Sequence, residues 1–129
     1  MGARLTATAK VADAQSLIVA AFEAGGVEGA PAPVKRIDTH LSHLFLSGDH
    51  AFKLKRAVRL PFADFSTLSQ RRAACMAETS INQTFAPGMY LGAHPVTYAD
   101  HGFEINGAGD IVDWVVVMRR FDQALQFDK

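Results

Sequence analysis

His50-Ala51-Phe52-Lys53-Leu54-Lys55-Arg56-Ala57-Val58 sets Phe52 and Leu54 on one side and Ala51, Lys53 and Lys55 on the other. This is the period-two pattern of a half-buried strand. A lysine on the inner side of such a strand is costly to bury unless a carboxylate or an anionic ligand meets it. Further along, a long helical pattern carries one well-placed carboxylate, Glu78. A strand lysine facing a helix glutamate is one way to hold a nucleotide phosphate. On a solvated edge strand the same lysines would simply stand in water.

Working outward, Val34–Ile37 and His43–Leu46 read as strands, and Ser47-Gly48-Asp49 supplies the turn of a hairpin into His50–Val58. Arg59 to Ala63, which holds Pro61, reads as a loop folded onto the sheet. Asp64 and Ser66 are the candidate N-caps of the next helix. Its apolar positions are Leu68, Cys75, Ile81 and Phe85, while Glu78 and Asn82 share another face. Arg71 and Arg72 lie one to two turns before Glu78 and are its local alternative partners. Ala86-Pro87-Gly88 closes the helix.

Tyr90–Tyr98 reads as a strand that Pro95 restricts to an edge or a bend. Phe103–Ile105 is a short strand, set between turns at Asp100-His101-Gly102 and Asn106–Asp110. Ile111–Met118 is a near-continuous apolar run, the pattern of a strand covered on both faces. Upstream, Val11–Ala24 has helical spacing and is closed by Gly25-Gly26. The expected fold is α+β: about five antiparallel strands with one long helix across them, plus an N-terminal helix. Residues 1–33 then form the N-terminal helix with a Gly/Pro linker, and 34–129 the main lobe.

The chain has 129 residues, formal net charge zero and 49% hydrophobic residues. That is one domain, with no basic excess to support nucleic-acid binding. Cys75 stands alone, which rules out an internal disulfide and suits a reducing, cytoplasmic compartment. No apolar run reaches the roughly 18 residues of a membrane span. Arg4 and Lys10 before Leu17–Phe22, Met1-Gly2 with Thr6, and Asn82-Gln83-Thr84 imitate a signal peptide, a myristoylation site and a glycosylation sequon. Each lacks the context that would make it one.

Several separated blocks occur together: Ile37-Asp38-Thr39-His40-Leu41-Ser42, Leu44-Phe45-Leu46-Ser47-Gly48-Asp49 and Phe52-Lys53-Leu54-Lys55-Arg56. Asp64-Phe65-Ser66-Thr67-Leu68, Arg71-Arg72, Glu78, Asn82, Ala86-Pro87, Tyr90-Leu91-Gly92 and Val117-Met118-Arg119-Arg120-Phe121 follow in order. From Val34 to Lys129 the chain resembles the aminoglycoside phosphotransferase-like proteins of the protein-kinase superfamily, often fused to an ATP-binding P-loop domain.

The resemblance implies a kinase-like small lobe that binds ATP. The hairpin Leu44–Ala51 would take the place of the phosphate-covering loop. Ala51-Phe52-Lys53 matches the small-apolar-lysine pattern, so Lys53, or Lys55 on the same face, would hold the phosphates. Glu78 would pair with that lysine. Met118, Arg119 and Phe121 would belong to the hinge at the adenine edge.

Two departures matter. Gly48 stands alone where the family has G-x-G-x-x-G. The sequence also stops just past the hinge, so the catalytic aspartate and the magnesium ligands would belong to a large lobe beyond it. No G-x-x-x-x-G-K-[ST] motif occurs. An isolated small lobe with weak nucleotide binding and no turnover is therefore expected, its phosphate acceptor unidentified. Its open half-cleft around Met118 would favour self-association. The alternative is an interaction or oligomerisation module of the same fold, with Lys53, Lys55 and Glu78 forming a surface ion pair.

Other constellations carry less. His40 and His43 have near metal-ligand spacing but no third ligand close by. His94 precedes Pro95 and reads as structural. Nothing marks Asp110 and Asp113 as an acid–base pair. Cys75, among Ala73, Ala74 and Ala77, reads as a packed small residue. Arg119 and Arg120 are expected to point to opposite sides of an extended segment.

Overall fold

The computed structural model describes residues 11–100 and 102–120, with side chains from residue 15 onward. Phe121, the tail after it, His101 and the first ten residues lie outside the described residues, and with them the expectations placed there.

Helix α1 (Val11–Glu23) is followed by two short strands, β1 (Gly26–Val27) and β2 (Ala30–Pro31). Then come β3 (Val34–Asp38), β4 (Ser42–Ser47) and β5 (His50–Lys55). A small hairpin, β6 (Arg59–Leu60) with β7 (Ala63–Asp64), leads into helix α2 (Leu68–Phe85). Strands β8 (Tyr90–Ala99), β9 (Gly102–Ile105) and β10 (Asp110–Arg119) complete the chain. The main sheet is antiparallel, in the order β3-β4-β5-β10-β8-β9.

The sheet has six strands where the sequence led to about five. The short segment at Phe103–Ile105, extended to Gly102, is a full member that pairs with Val96–Ala99. It also displaces β8 from the edge that Pro95 suggested. The Pro95 carbonyl accepts from the Asn106 N–H on the β9 side, just beyond the end of the β8–β9 pairing. In an antiparallel ladder a residue's N–H and C=O point the same way, so the missing donor of Pro95 faces that unpaired stretch.

Each face of the sheet carries a helix. On one, Ile18, Val19 and Phe22 of α1 pack with Phe45, Phe52, Leu54, Val96, Val115 and Val117. Phe22 stacks on Phe45 at 4.5 Å between centroids and tilts against Phe52 at 5.8 Å. On the other, Cys75 of α2 packs with Trp114 and Val116, flanked by Leu68, Tyr90, Ala93 and Met118. β10 thus turns Val115 and Val117 to one helix and Trp114 and Val116 to the other, as its continuous apolar run implied.

The N-terminal region is built into the core. Val27 and Ala30 are buried with Phe22, and Glu28 exchanges backbone bonds of 2.9 Å with Phe103 and Ile105, so the Gly/Pro segment covers the β9 edge. Covering an edge in this way removes a row of unpaired backbone groups.

Helix α2 starts at Thr67, not at Asp64 or Ser66. The Thr67 hydroxyl accepts from the Gln70 N–H while the Gln70 side chain accepts from the Thr67 N–H, a reciprocal capping box. Asp64 instead accepts from the N–H and hydroxyl of Ser66. The buried positions of α2 are Arg71, Cys75 and Thr79, while Ile81 and Phe85 are 58% and 80% exposed. Residues four apart share a helix face, and that face here includes an arginine. No helix among the described residues is long and apolar enough to cross a membrane.

Candidate functional site

Strand β5 places Phe52 and Leu54 in the α1-side core, so Ala51, Lys53 and Lys55 face α2. Glu78 comes down from α2 to meet them. Its Oε2 accepts from Lys53 Nζ at 2.7 Å, and its Oε1 accepts from Lys55 Nζ. Both lysines therefore pair with Glu78. All three side chains are mostly withdrawn from water, Lys53 least. Lys55 Nζ also sits 5.6 Å from the Phe65 ring centroid, within cation–π range.

Burial alone would raise the Glu78 pKa, but the bonds from Lys53 and Lys55 outweigh it and hold the carboxyl below its ordinary range. Two ammonium groups share one carboxylate, so the cluster keeps a net positive charge. Each ammonium has three donors and spends one on Glu78, which leaves donors for a further acceptor. Next to it, burial raises Tyr90, and the negative charge of Glu78 adds to the effect. Burial pushes the Cys75 thiol up to about 12, which makes it a packing residue and no nucleophile.

The arginines that were the alternative partners of Glu78 are elsewhere. Arg71 Nε donates to Asp113 Oδ1 at 2.8 Å, and its terminal nitrogen donates to the Phe65 carbonyl at 3.0 Å. Arg72 lies over the Trp114 ring, 5.3 Å from its centroid. Asp113 is completely buried and also accepts from the Gln15 amide at 3.0 Å and the Trp114 N–H at 2.8 Å. Burial raises the Asp113 carboxyl against the opposing pull of Arg71, Gln15 and Trp114. Sequence reasoning missed this cluster. A carboxylate inside an apolar strand, and an arginine on the buried face of a helix, were its two signals.

Of the residues expected at a hinge, Met118 and Arg119 lie at the far end of β10 from Asp110. Ala51 is buried and sits across from Met118 in the β5–β10 register. Met118 is partly buried against the Trp114 cluster. The large exposed apolar side chains include Phe85, Phe62 and Ile81, not Met118. The Arg119 N–H donates to the Met89 carbonyl and the Arg120 N–H to the Asp49 carbonyl, both at 2.7 Å. Both N–H groups are thus engaged within the chain. The two side chains diverge as expected, Arg119 toward Gly88 and Arg120 toward Gly48.

Register also locates the two turns of the β3-β4-β5 meander. Gly48, with φ of 56°, and Asp49 turn the chain at the Arg119–Arg120 end, where Ser47 pairs with His50. The turn from Asp38 to Ser42 lies at the opposite end, where Ser42 pairs with Lys55. The hairpin Leu44–Ala51 therefore turns at the Arg119–Arg120 end, and the Thr39–Leu41 turn is the one beside Lys55.

A separate cleft of about 400 Å³ opens on the α1 side, lined by Gln15, Val19, Glu23, Arg36, His43 and Arg56. Its charges are largely engaged. Arg36 bonds Asp38 and Glu23, His43 bonds Asp38, and these donors hold the Asp38 carboxyl down to about 2. His40 and His43 do not build a metal site: among the described residues no three metal-ligating side chains cluster. His94 bonds the Asn106 side chain at 2.7 Å. Asn82 donates to the Glu78 carbonyl within α2.

No protein-family model matches the chain, and no solved structure matches it. Uncharacterized proteins of Mycobacterium bovis and of two strains of Mycobacterium tuberculosis are 37% identical to it over 84 residues. The matched segment is 65% of this chain and 15% of each relative. The chain thus spans a small part of the length of the curated relatives it matches.

Proposed function

We propose that this chain is the nucleotide-binding small lobe of an aminoglycoside phosphotransferase-like kinase, with ATP as ligand. The observation that carries the reading is the shared grip of Lys53 and Lys55 on Glu78 across the strand–helix interface. Three charges at this depth have a desolvation cost that their mutual attraction only partly offsets. An anionic phosphate beside the two ammoniums would neutralise the excess positive charge and use their spare donors.

On this reading Lys53 and Lys55 hold phosphate oxygens, and Glu78 fixes where the ammoniums stand. The Thr39–Leu41 turn, next to Lys55, would lie over the phosphates. Ala51 and Met118 would flank the base. Magnesium would neutralise phosphate charge, and its protein ligands would come from outside these residues. A small lobe supplies one wall of the cleft and no positioned nucleophile, so turnover by this chain alone is not expected. The phosphate acceptor is an unidentified small molecule, and self-association through the open side of the lobe belongs to the same proposal.

One observation favours the second reading, an interaction module of the same fold. The Arg119 and Arg120 N–H groups are already bonded within the chain, which removes donors that a hinge would offer.

Titration of the purified chain with Mg-ATP, following its thermal midpoint, separates the two. A ligand that binds only the native state adds about 2.7 kcal/mol at a hundredfold excess over its dissociation constant. The kinase-lobe reading expects a rise that is lost in Glu78→Ala and in Lys53→Ala or Lys55→Ala. No rise at millimolar nucleotide would favour the interaction module.

A further inference from the structure

Glu78 can set where the two ammoniums stand only if α2 and β5 keep a fixed relation, since the lysine stems would otherwise follow the carboxylate as it moves. The lysines do not fix that relation by themselves. Their side chains are long and flexible, and flexible stems tolerate many backbone positions. Something shorter and stiffer has to hold the frame.

Asp113 meets that requirement. Its carboxylate is completely buried in β10, the neighbour of β5 in the sheet. One oxygen takes Arg71 Nε of α2 at 2.8 Å, and the other takes the Gln15 amide of α1 at 3.0 Å. Gln15 then grips the end of the lysine strand directly. Its amide nitrogen donates to the Lys55 carbonyl at 2.8 Å, and its oxygen accepts from the Ala57 N–H at 2.7 Å. Arg71 stands two turns before Glu78, so the two project from nearly the same side of α2. Arg71 also clamps the Phe65 carbonyl at 3.0 Å, beside the ring that Lys55 overlies.

We propose that Asp113 is a positioning residue for the Lys53–Lys55–Glu78 site, acting through Arg71 on the helix and through Gln15 on the strand end. Its own hydrogen-bond partners are Arg71, Gln15 and the Trp114 N–H, not the lysines. It ties both helices and the backbone of Lys55 into one frame across the sheet. The functional meaning of this frame rests on reading the lysine–glutamate cluster as a phosphate site, but its geometric effect does not.

The test uses a variant that removes the charges and keeps the volume, Arg71→Met with Asp113→Leu, because a single substitution would strand a buried charge. Fold is checked by far-ultraviolet circular dichroism and amide NMR spectra. The readout is the titration of the Glu78 side-chain carboxyl carbon by NMR, which a merely structural ion pair would not move. The expected result is a folded variant in which the Glu78 midpoint moves up toward the ordinary carboxylate range. A folded variant with the wild-type midpoint overturns the proposal.

If the double variant fails to fold, Gln15→Leu is read in the same way, since it frees Lys55 from its anchor and leaves the ion pair intact. An unchanged Glu78 midpoint there also overturns the proposal. Mg-ATP titration of the wild type runs alongside. Its failure would remove the nucleotide reading and leave the positioning test intact, whereas binding should weaken at least tenfold in the variant that loses the frame.

Discussion

Arg71 and Asp113 meet 2.8 Å apart with side chains that are 2% and 1% exposed, the helix arginine entering the same interface as Cys75 and Trp114. Removing one member of such a pair leaves the other charge buried without compensation, at about 3–5 kcal/mol. Arg71→Ala should lower the unfolding free energy measured by urea denaturation by that much. Arg72→Ala, which loses a cation–π contact over Trp114, should cost about 0.5–1 kcal/mol. Equal losses in the two variants would mean that the buried pair contributes no more than a surface contact.

The contrast shows what was legible in the sequence. The alternation of Phe52 and Leu54 with Lys53 and Lys55 named both the strand and its polar face, and Glu78 followed from it. The run Trp114–Val117 announced a strand covered on both sides. Arg71 and Asp113 were each visible, but they are 42 positions apart and only the fold brings them together. Ile81 and Phe85 misled because they are apolar. At 3.6 residues per turn Ile81 points about 120° away from Cys75, so hydrophobicity without its angle marked the wrong face.

Thr67 caps α2, and its reciprocal bonds with Gln70 satisfy donors at the helix start. Thr67→Ala should cost about 1 kcal/mol. Ser66→Ala should cost less, since Ser66 bonds Asp64 and the Gln70 side chain but no helix N–H. Urea denaturation of both variants checks the order. A larger loss in Ser66→Ala would return the cap to one of the two residues read as candidates from the sequence.

Phe22 decides whether α1 is part of the fold. Its ring is completely buried and stacked on Phe45. Phe22→Ala should cost about 3–5 kcal/mol, the usual range for deleting a buried aromatic ring. Leu17→Ala, on the exposed side of the same helix, should stay within about 0.5 kcal/mol. Equally small losses would make α1 an appendage.

Cys75 is fully buried, and its thiol is pushed up to about 12. Only the thiolate reacts with alkylating agents. Iodoacetamide at pH 8 should therefore label the native chain far more slowly than the urea-unfolded chain. Rapid labelling without denaturant would show that the α2–sheet interface opens readily.

Glu78 gives the pH dependence. Its carboxyl is held below the ordinary range by Lys53 and Lys55, so the native state binds its proton more weakly than the unfolded chain does. The stability it contributes is fully present above the unfolded-state pKa, about 4.3, and is lost as pH falls through the lower native value. The stability difference between wild type and Glu78→Gln should be constant near pH 7 and shrink as the solution is acidified below about pH 4.5. Asp38 and Asp64, also held low, titrate in both proteins and cancel in the difference. Lys53→Met and Lys55→Met should each raise the native midpoint of Glu78 without restoring it, because each leaves one lysine bonded to an oxygen. Urea midpoints between pH 7 and 3 provide the measurement. A difference that stays flat through this range would mean that the lysines do not stabilise the charged form of Glu78, and a full return to the ordinary midpoint in one lysine variant would show that the other lysine bond contributes nothing.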